Sequence, residues 1–260
     1  MLYSCCATMD HYEKIHLAGY DRIILQAVEL SRMDESFFLT ARQLLENGPI
    51  KCRALNGFSG SDLKLCGPAF NVLAIREYSR VLIKRSSLLG VEYIGVGAPQ
   101  SRNIPEHYSY EKALDELKQS LSIICSEAAP FGISILLEPV CTSECNIITN
   151  TNEAYDLLTS LALDNLHLNF DTYHAAMMGE DAKPLQRAIN EVKLVHVAQS
   201  IDNVRRCPQK GFAEAHKVYF DTLLANGYTG EISVEANLTG ADGELTGALR
   251  ILKTLCGEPA

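Results

Sequence analysis

The feature that most limits how this chain can fold is its rhythm. Short β-rich runs alternate with longer helix-patterned stretches from one end to the other. The candidate strands are residues 2–7, 22–26, 50–56, 93–96, 134–138, 166–171, 194–197 and 232–235. Between them, residues 35–46, 72–89, 110–129, 152–163, 184–192, 214–225 and 245–255 carry apolar side chains at helical spacing. Several strands are nearly continuous apolar runs, such as Ile133-Ser134-Ile135-Leu136-Leu137 and Leu194-Val195-His196-Val197, as parallel strands covered on both faces require. Gly90, Gly132 and Gly227 fall where helices should end and strands begin.

Eight strands over 260 residues give a mean pitch of about 32, the repeat of a (β/α)8 barrel. The competing architecture is an open doubly wound sheet. A dinucleotide-binding version would prefer a Gly-x-Gly-x-x-Gly turn after its first strand, and the sequence has none. No Pro/Gly/Ser-rich linker or sustained change of composition divides the chain. The expected fold is therefore α/β, a single-domain (β/α)8 TIM barrel over residues 1–260. Its first unit is the weakest, with only residues 10–19 available for a helix.

Composition narrows the function classes. With 47% hydrophobic and 21% charged residues, the chain is not of the disordered type. No apolar run approaches the roughly 18 residues that span a bilayer, and Asp10 arrives too early for a secretory signal. A cytoplasmic enzyme without membrane attachment is expected. Twenty-three basic against 32 acidic residues leave a net charge of −9, which disfavours a nucleic-acid partner. The nine cysteines form no Cys-x-x-Cys pair, as suits buried thiols in a reducing compartment. Cys141 and Cys145, four apart, would at most be half of a metal site.

In a barrel, functional side chains project from the C-terminal strand ends. Four consecutive strands end with chemistry-bearing residues: Glu138 before Pro139, Asp171 three before His174, His196 within Val195-His196-Val197, and Glu235. A carboxylate following buried apolar residues is costly unless compensated. Three converging on one mouth repel one another, and a divalent cation is the natural remedy. Carboxylates mixed with imidazole suit Mn²⁺, Co²⁺, Fe²⁺ or Zn²⁺ better than Ca²⁺. A single strand-end acid is more often a helix cap or a solvated loop residue; four such residues at one level point to a shared ion.

Leu136-Leu137-Glu138-Pro139, Asp171-x-x-His174, His196 in its Val-His-Val strand, and Gly227-Tyr228-Thr229-Gly230-Glu231-Ile232-Ser233-Val234-Glu235 together resemble the xylose isomerase-like barrel superfamily. Within it, the chain looks like the sugar phosphate isomerase/epimerase group that includes the ketose 3-epimerases. The likeness is specific over the last four strands and topological over the first four. It implies one divalent ion, with Mn²⁺ preferred and Co²⁺, Mg²⁺, Fe²⁺ or Zn²⁺ as alternatives, held by Glu138, Asp171, His196 and Glu235. It also implies Glu138 and Glu235 as the proton-transfer pair, His174 at the substrate, and a homodimer or homotetramer.

Such a site would isomerise or epimerise a sugar or sugar phosphate through a metal-stabilised enediolate. Arg205 or Arg206 would hydrogen-bond the substrate over the mouth, with Asn56 in a similar role. The loop 237–243, Gly-rich and leading into a helix, could cradle a phosphate, although Asp242 opposes that. Trinuclear endonucleases on this scaffold need further His and Asp ligands. Here the corresponding segments read Leu55-Asn56-Gly57-Phe58, Gly97-Ala98-Pro99-Gln100 and Val197-Ala198-Gln199-Ser200, without a His or an acid. Other departures are Gln199 where many relatives have an acid, Pro208-Gln209-Lys210-Gly211 in place of Pro-Gly-x-Gly, and Gln26 ending the second strand. The rivals are an inosose-type dehydratase, an AP endonuclease-like DNA-repair enzyme, and a non-catalytic sugar-binding barrel.

Overall fold

The computed structural model describes residues 1–259 and shows eight parallel strands closed into a barrel. In chain order the strands are β1 (Leu2–Cys6), β2 (Arg22–Gln26), β3 (Lys51–Asn56), β4 (Tyr93–Val96), β5 (Ser134–Leu137), β6 (Leu166–Asp171), β7 (Val192–Val197), the short pair β8 (Gln199–Ile201) and β9 (Val204–Arg206), and β10 (Glu231–Val234). The barrel runs β1-β2-β3-β4-β5-β6-β7-β10 and closes where Tyr3 and Cys5 pair with Ile232 and Val234. β8 and β9 form an antiparallel hairpin between β7 and the next barrel strand.

The helices are α1 (Tyr12–Leu17), α2 (Ala27–Arg32), α3 (Glu35–Asn47), α4 (Val72–Leu88), α5 (Pro99–Arg102), α6 (Tyr110–Ala128), α7 (Thr151–Leu161), α8 (Thr172–Met177), α9 (Ala182–Ala188), α10 (Phe212–Ala225) and α11 (Glu244–Leu255). The longer ones begin at side chains that satisfy their free N–H groups. Asn71 Oδ1 accepts from Leu73 and Ala74, Ser109 Oγ from Lys112, and Asn150 Oδ1 from Glu153. None among the described residues is long and apolar enough to cross a membrane.

Strand alternation produces two apolar regions. Outward residues such as Ile23, Leu55, Ile94, Ile135, Leu137, Phe170 and Val195 pack with the helices in one continuous core. Inward residues Cys6, Ile24, Ala54, Leu136 and Leu194 form a smaller plug with Tyr93 against it. Moving two residues along a strand keeps the same face and rises one layer. Above the plug therefore stand Gln26 on β2, Asn56 on β3, His196 on β7 and, just past the end of β5, Glu138.

Several elements end at residues other than those the sequence predicts. Glu138 and Glu235 stand just beyond β5 and β10, not as their last residues, and α9 ends at Ala188 rather than 192. The first unit is short, with only six residues in α1. The hairpin and the small helices α2, α5 and α8 were not expected, because segments of three to six residues carry too little periodicity to register.

Candidate active site

Asn56, Glu138, Asp171, His174, His196, Arg205 and Glu235 converge at the C-terminal mouth of the barrel. His196 is at the centre and has no exposed surface. Its Nδ1 lies 3.2 Å from Glu138 Oε1, 3.2 Å from Glu235 Oε2 and 2.9 Å from Asn169 Nδ2. From below, the Cys6 thiol approaches Nε2 at 3.8 Å and Ser233 Oγ at 3.5 Å. Asp171 uses its two oxygens differently. Oδ1 caps α8, accepting from Tyr173 N at 2.7 Å, while Oδ2 faces the mouth and pairs with Arg205. That local bond holds the carboxylate where β6 ends.

Arg205 is supplied by the hairpin. Asp202 and Asn203, both at positive φ (53° and 59°), make a two-residue turn of the kind that matches strand twist. The resulting register sets Arg205 opposite Ser200 and Arg206 opposite Gln199. Arg205 turns into the mouth, where Nη2 bridges Asp171 and Glu235, Nε donates to the Glu235 carbonyl at 2.8 Å, and Nη1 lies 3.2 Å from His174 Nε2. Its guanidinium also covers the Tyr173 ring at 4.8 Å.

Arg206 is the exception among the residues singled out. Adjacent strand residues face opposite sides, so it lines a separate cavity with Pro208, Thr239 and Asp242. The loop after β10 is also no anion cradle. Thr239 and Gly240 donate their backbone N–H groups to Glu244 Oε2 at 3.0 and 3.2 Å, so the chain fills that role with its own carboxylate.

The electrostatics divide the two glutamates. Burial pushes the Glu138 carboxyl above its ordinary range; His196 pulls it back and Glu235 pushes it further up. Burial is the largest single influence on Glu235 and Asp171 and opposes their ionisation, but Arg205 together with His174 and His196 more than offsets it, and both carboxyls are held below their usual values. His174 is pushed up to about 9: burial resists the charge, while Asp171 and the hydrogen bond to Cys141 favour it more strongly. His196 is likewise raised against its burial, by Cys6, Glu235 and Glu138.

The residues fit a divalent cation. Glu138, Asp171, His196 and Glu235 each offer a ligand atom, and these atoms all lie within 4.8 Å of one another. Two ligands across one ion, each at about 2.1 Å, stand about 4.2 Å apart, so little movement is needed. With His196 neutral, as ligation requires, Arg205 and a protonated His174 still leave the three carboxylates with a net negative charge for a cation to balance. The cavity above the cluster is about 310 Å³, within the range of small-molecule pockets. It is lined by Gln26, Asn56, Ser59, Gln100, Glu144 and His174 besides Glu138 and Glu235, and Arg205 is its only arginine or lysine among the described residues. Gly97 leaves room for Glu138: a Cβ there would collide with Oε2.

Cys6, Asn169, Glu144 and Arg102 join the site without being predicted from strand-end position. Asn169 and Cys6 had a signal, being inward positions of β6 and β1 one layer beneath the mouth. Arg102 had none. It is fully buried and donates from Nη2 to the Glu138 carbonyl at 3.0 Å, fixing the end of β5 from the α5 side.

A family model for the xylose isomerase-like TIM barrel matches residues 13–255. The chain belongs to that family. Among curated proteins, the inosose isomerase of Bacillus licheniformis is 27% identical over 175 residues, 62% of this chain and 59% of that protein. The matches to curated inosose isomerases cover between 28% and 59% of those proteins' lengths. Two solved structures place the same barrel beside this xylose isomerase-like chain. A D-psicose 3-epimerase crystallised in the presence of D-fructose superposes with a TM-score of 0.83 at 17% identity, covering 99% of this chain and all (100%) of that one. The IOLI protein with a bound zinc atom superposes with a TM-score of 0.77 at 17% identity, covering 99% and 98%.

Proposed function

We propose that this chain is a metal-dependent isomerase or epimerase of a small unphosphorylated sugar or cyclic polyol ketone, moving a proton at a carbon beside a carbonyl. The observation that carries this reading is the pair Glu138 and Glu235. They rise from β5 and β10, with two strands between them, and meet over one buried imidazole at a cavity whose wall also offers the neutral polar groups of Gln26, Asn56, Ser59 and Gln100.

A divalent ion held by Glu138, Asp171, His196 and Glu235 would supply Lewis-acid polarisation of the substrate carbonyl, lowering the barrier to proton loss from its neighbour. The chain's own groups do the rest. One glutamate removes the proton from one face of the carbon, and the other returns one from the opposite face, inverting the centre; return to the neighbouring atom gives isomerisation instead. Arg205 sits on Glu235 and not on Glu138, so the two are inequivalent acids and bases. Asn56 donates to Glu235 Oε1 and holds that carboxylate in place. His174 and Glu144 reach the cavity and are suited to hydroxyl contacts.

Two features favour an unphosphorylated substrate: Arg205, the only arginine or lysine lining the cavity among the described residues, is already shared by two carboxylates, and the loop 237–243 is satisfied by Glu244. The family's inosose isomerases support a cyclic polyol ketone, and the epimerase neighbours support an open-chain ketose. Mn²⁺ is the cation we propose, with zinc supported by the IOLI structure. A dehydratase would begin with the same proton abstraction and differ by expelling water.

The test is incubation of Mn²⁺-loaded protein in D₂O with pools of ketoses, aldoses, their phosphates and inososes, followed by NMR and mass spectrometry. Deuterium at one carbon, without loss of water, is the expected result. Absence of exchange in every pool, with metal bound, overturns the reading.

A further inference from the structure

A second group of metal-ligand atoms lies on the cavity wall, apart from the first. Cys141 Sγ is 3.2 Å from His174 Nδ1, and both with a Glu144 carboxylate oxygen lie within 4.8 Å of one another. None of the three belongs to the Glu138, Asp171, His196 and Glu235 set. The imidazole of His174 separates the two groups: Nδ1 faces Cys141, while Nε2 lies 3.2 Å from Arg205 Nη1 and 3.8 Å from Asp171 Oδ2. Cys141 and His174 are buried at 1% and 4% exposure, whereas Glu144 is exposed at the rim and reaches the cavity.

We propose that Cys141, His174 and Glu144 form a second, zinc-selective cation site whose occupation restrains the groups at the cavity wall. The donor set decides the selectivity. One sulfur, one imidazole nitrogen and one carboxylate oxygen match the ligands of Zn²⁺ and leave the fourth tetrahedral position for water or a substrate hydroxyl. Manganese prefers oxygen donors and gains little from a thiolate. Sulfur at 2.3 Å and nitrogen at about 2.0 Å from one tetrahedral ion stand about 3.5 Å apart, close to the separation present here. A second sulfur lies nearby, since Met178 Sδ accepts from Thr142 N at 3.4 Å beside Cys141. On binding, the protons on Cys141 Sγ and His174 Nδ1 leave to solvent, and the freed sulfur and nitrogen lone pairs form the metal bonds; no electron transfer is involved. His174 is then fixed through Nδ1, and its orientation toward Arg205 is set by the ion instead of by the thiol.

The experiment counts metal per chain and needs no substrate, so its outcome is independent of the proposed reaction. Chains dialysed against buffered Zn²⁺ should hold two ions, and chains dialysed against Mn²⁺ one. Cys141→Ser should lower the zinc count to one and leave the manganese count unchanged. Co²⁺ titration provides the second readout, because a thiolate ligand adds a near-ultraviolet charge-transfer band. That band should vanish in Cys141→Ser and persist in Cys6→Ser, Cys6 being the thiol beneath the first site. A single zinc per chain in the unaltered protein overturns the proposal. So does a cobalt band abolished by Cys6→Ser but retained in Cys141→Ser.

Discussion

At the scale of single residues, the mouth depends on pairs that hold each other in place. Replacing Glu138 or Glu235 by Gln keeps the shape and removes a proton carrier, so kcat should fall by about 10²–10⁴-fold, measured on folded, metal-loaded protein. Cys6 meets the ring nitrogen of His196 that faces away from the carboxylates. Such partners orient metal-binding imidazoles, so Cys6→Ala should weaken metal affinity by about 10–100-fold, with Cys6→Ser recovering part of it; equilibrium dialysis against Mn²⁺ measures both. Gly97→Ala intrudes on Glu138 Oε2 and should lower turnover while preserving the fold, as seen by circular dichroism beside the rate. Much of this site is readable in the sequence, because strand-end residues follow directly from a correct strand assignment. Glu138, Asp171, His196 and Glu235 are legible in that way. Arg205 and Arg206 are not separable by sequence, since only hairpin register decides which one faces the carboxylates. Arg102 gives no sequence signal because its role depends on how α5 folds back against β5.

At the scale of elements, α10 shows how a buried ionisable group tunes stability. His216 stacks on Phe212 at 4.1 Å between ring centroids and donates from Nδ1 to the Phe212 carbonyl at 3.1 Å. Burial, the largest influence, lowers its pKa from 6.5, partly countered by that hydrogen bond and by Asp171. The native state therefore resists a proton that the unfolded chain accepts. The contribution of His216 is fully present above pH 6.5 and is lost as pH falls through 6.5 toward the native value. Urea midpoints at pH 7.5 and 5.0 should fall more steeply for the unaltered protein than for His216→Gln. A simpler element-level effect is the cap of α4: Asn71→Ala frees the Leu73 and Ala74 N–H groups and should cost about 1 kcal/mol in urea unfolding. Long helices such as α4 and α6 are legible because many turns repeat one apolar face. The four- and six-residue helices at the mouth are dictated by the barrel and by caps such as Asp171, which periodicity does not report.

At the scale of the whole molecule, the four proposed ligands come from the ends of β5, β6, β7 and β10, so one ion would tie together half of the barrel wall. Binding only the folded form stabilises it by about 2.7 kcal/mol when the free ion is at 100 times its dissociation constant. Thermal unfolding in excess Mn²⁺ should therefore occur at a higher temperature than with a chelator, and Asp171→Asn should shrink the difference.

The two-residue turn at Asp202 and Asn203 has a consequence for how such a barrel can diversify. Facing along a strand has a parity: adding one residue between Asn203 and Arg205 would turn Arg205 away from Asp171 and Glu235 and bring its neighbour over them. Adding two would restore the original facing. Changes in the length of this hairpin that keep Arg205 over the carboxylates are thus confined to even steps, while the eight-stranded frame beneath is indifferent to either.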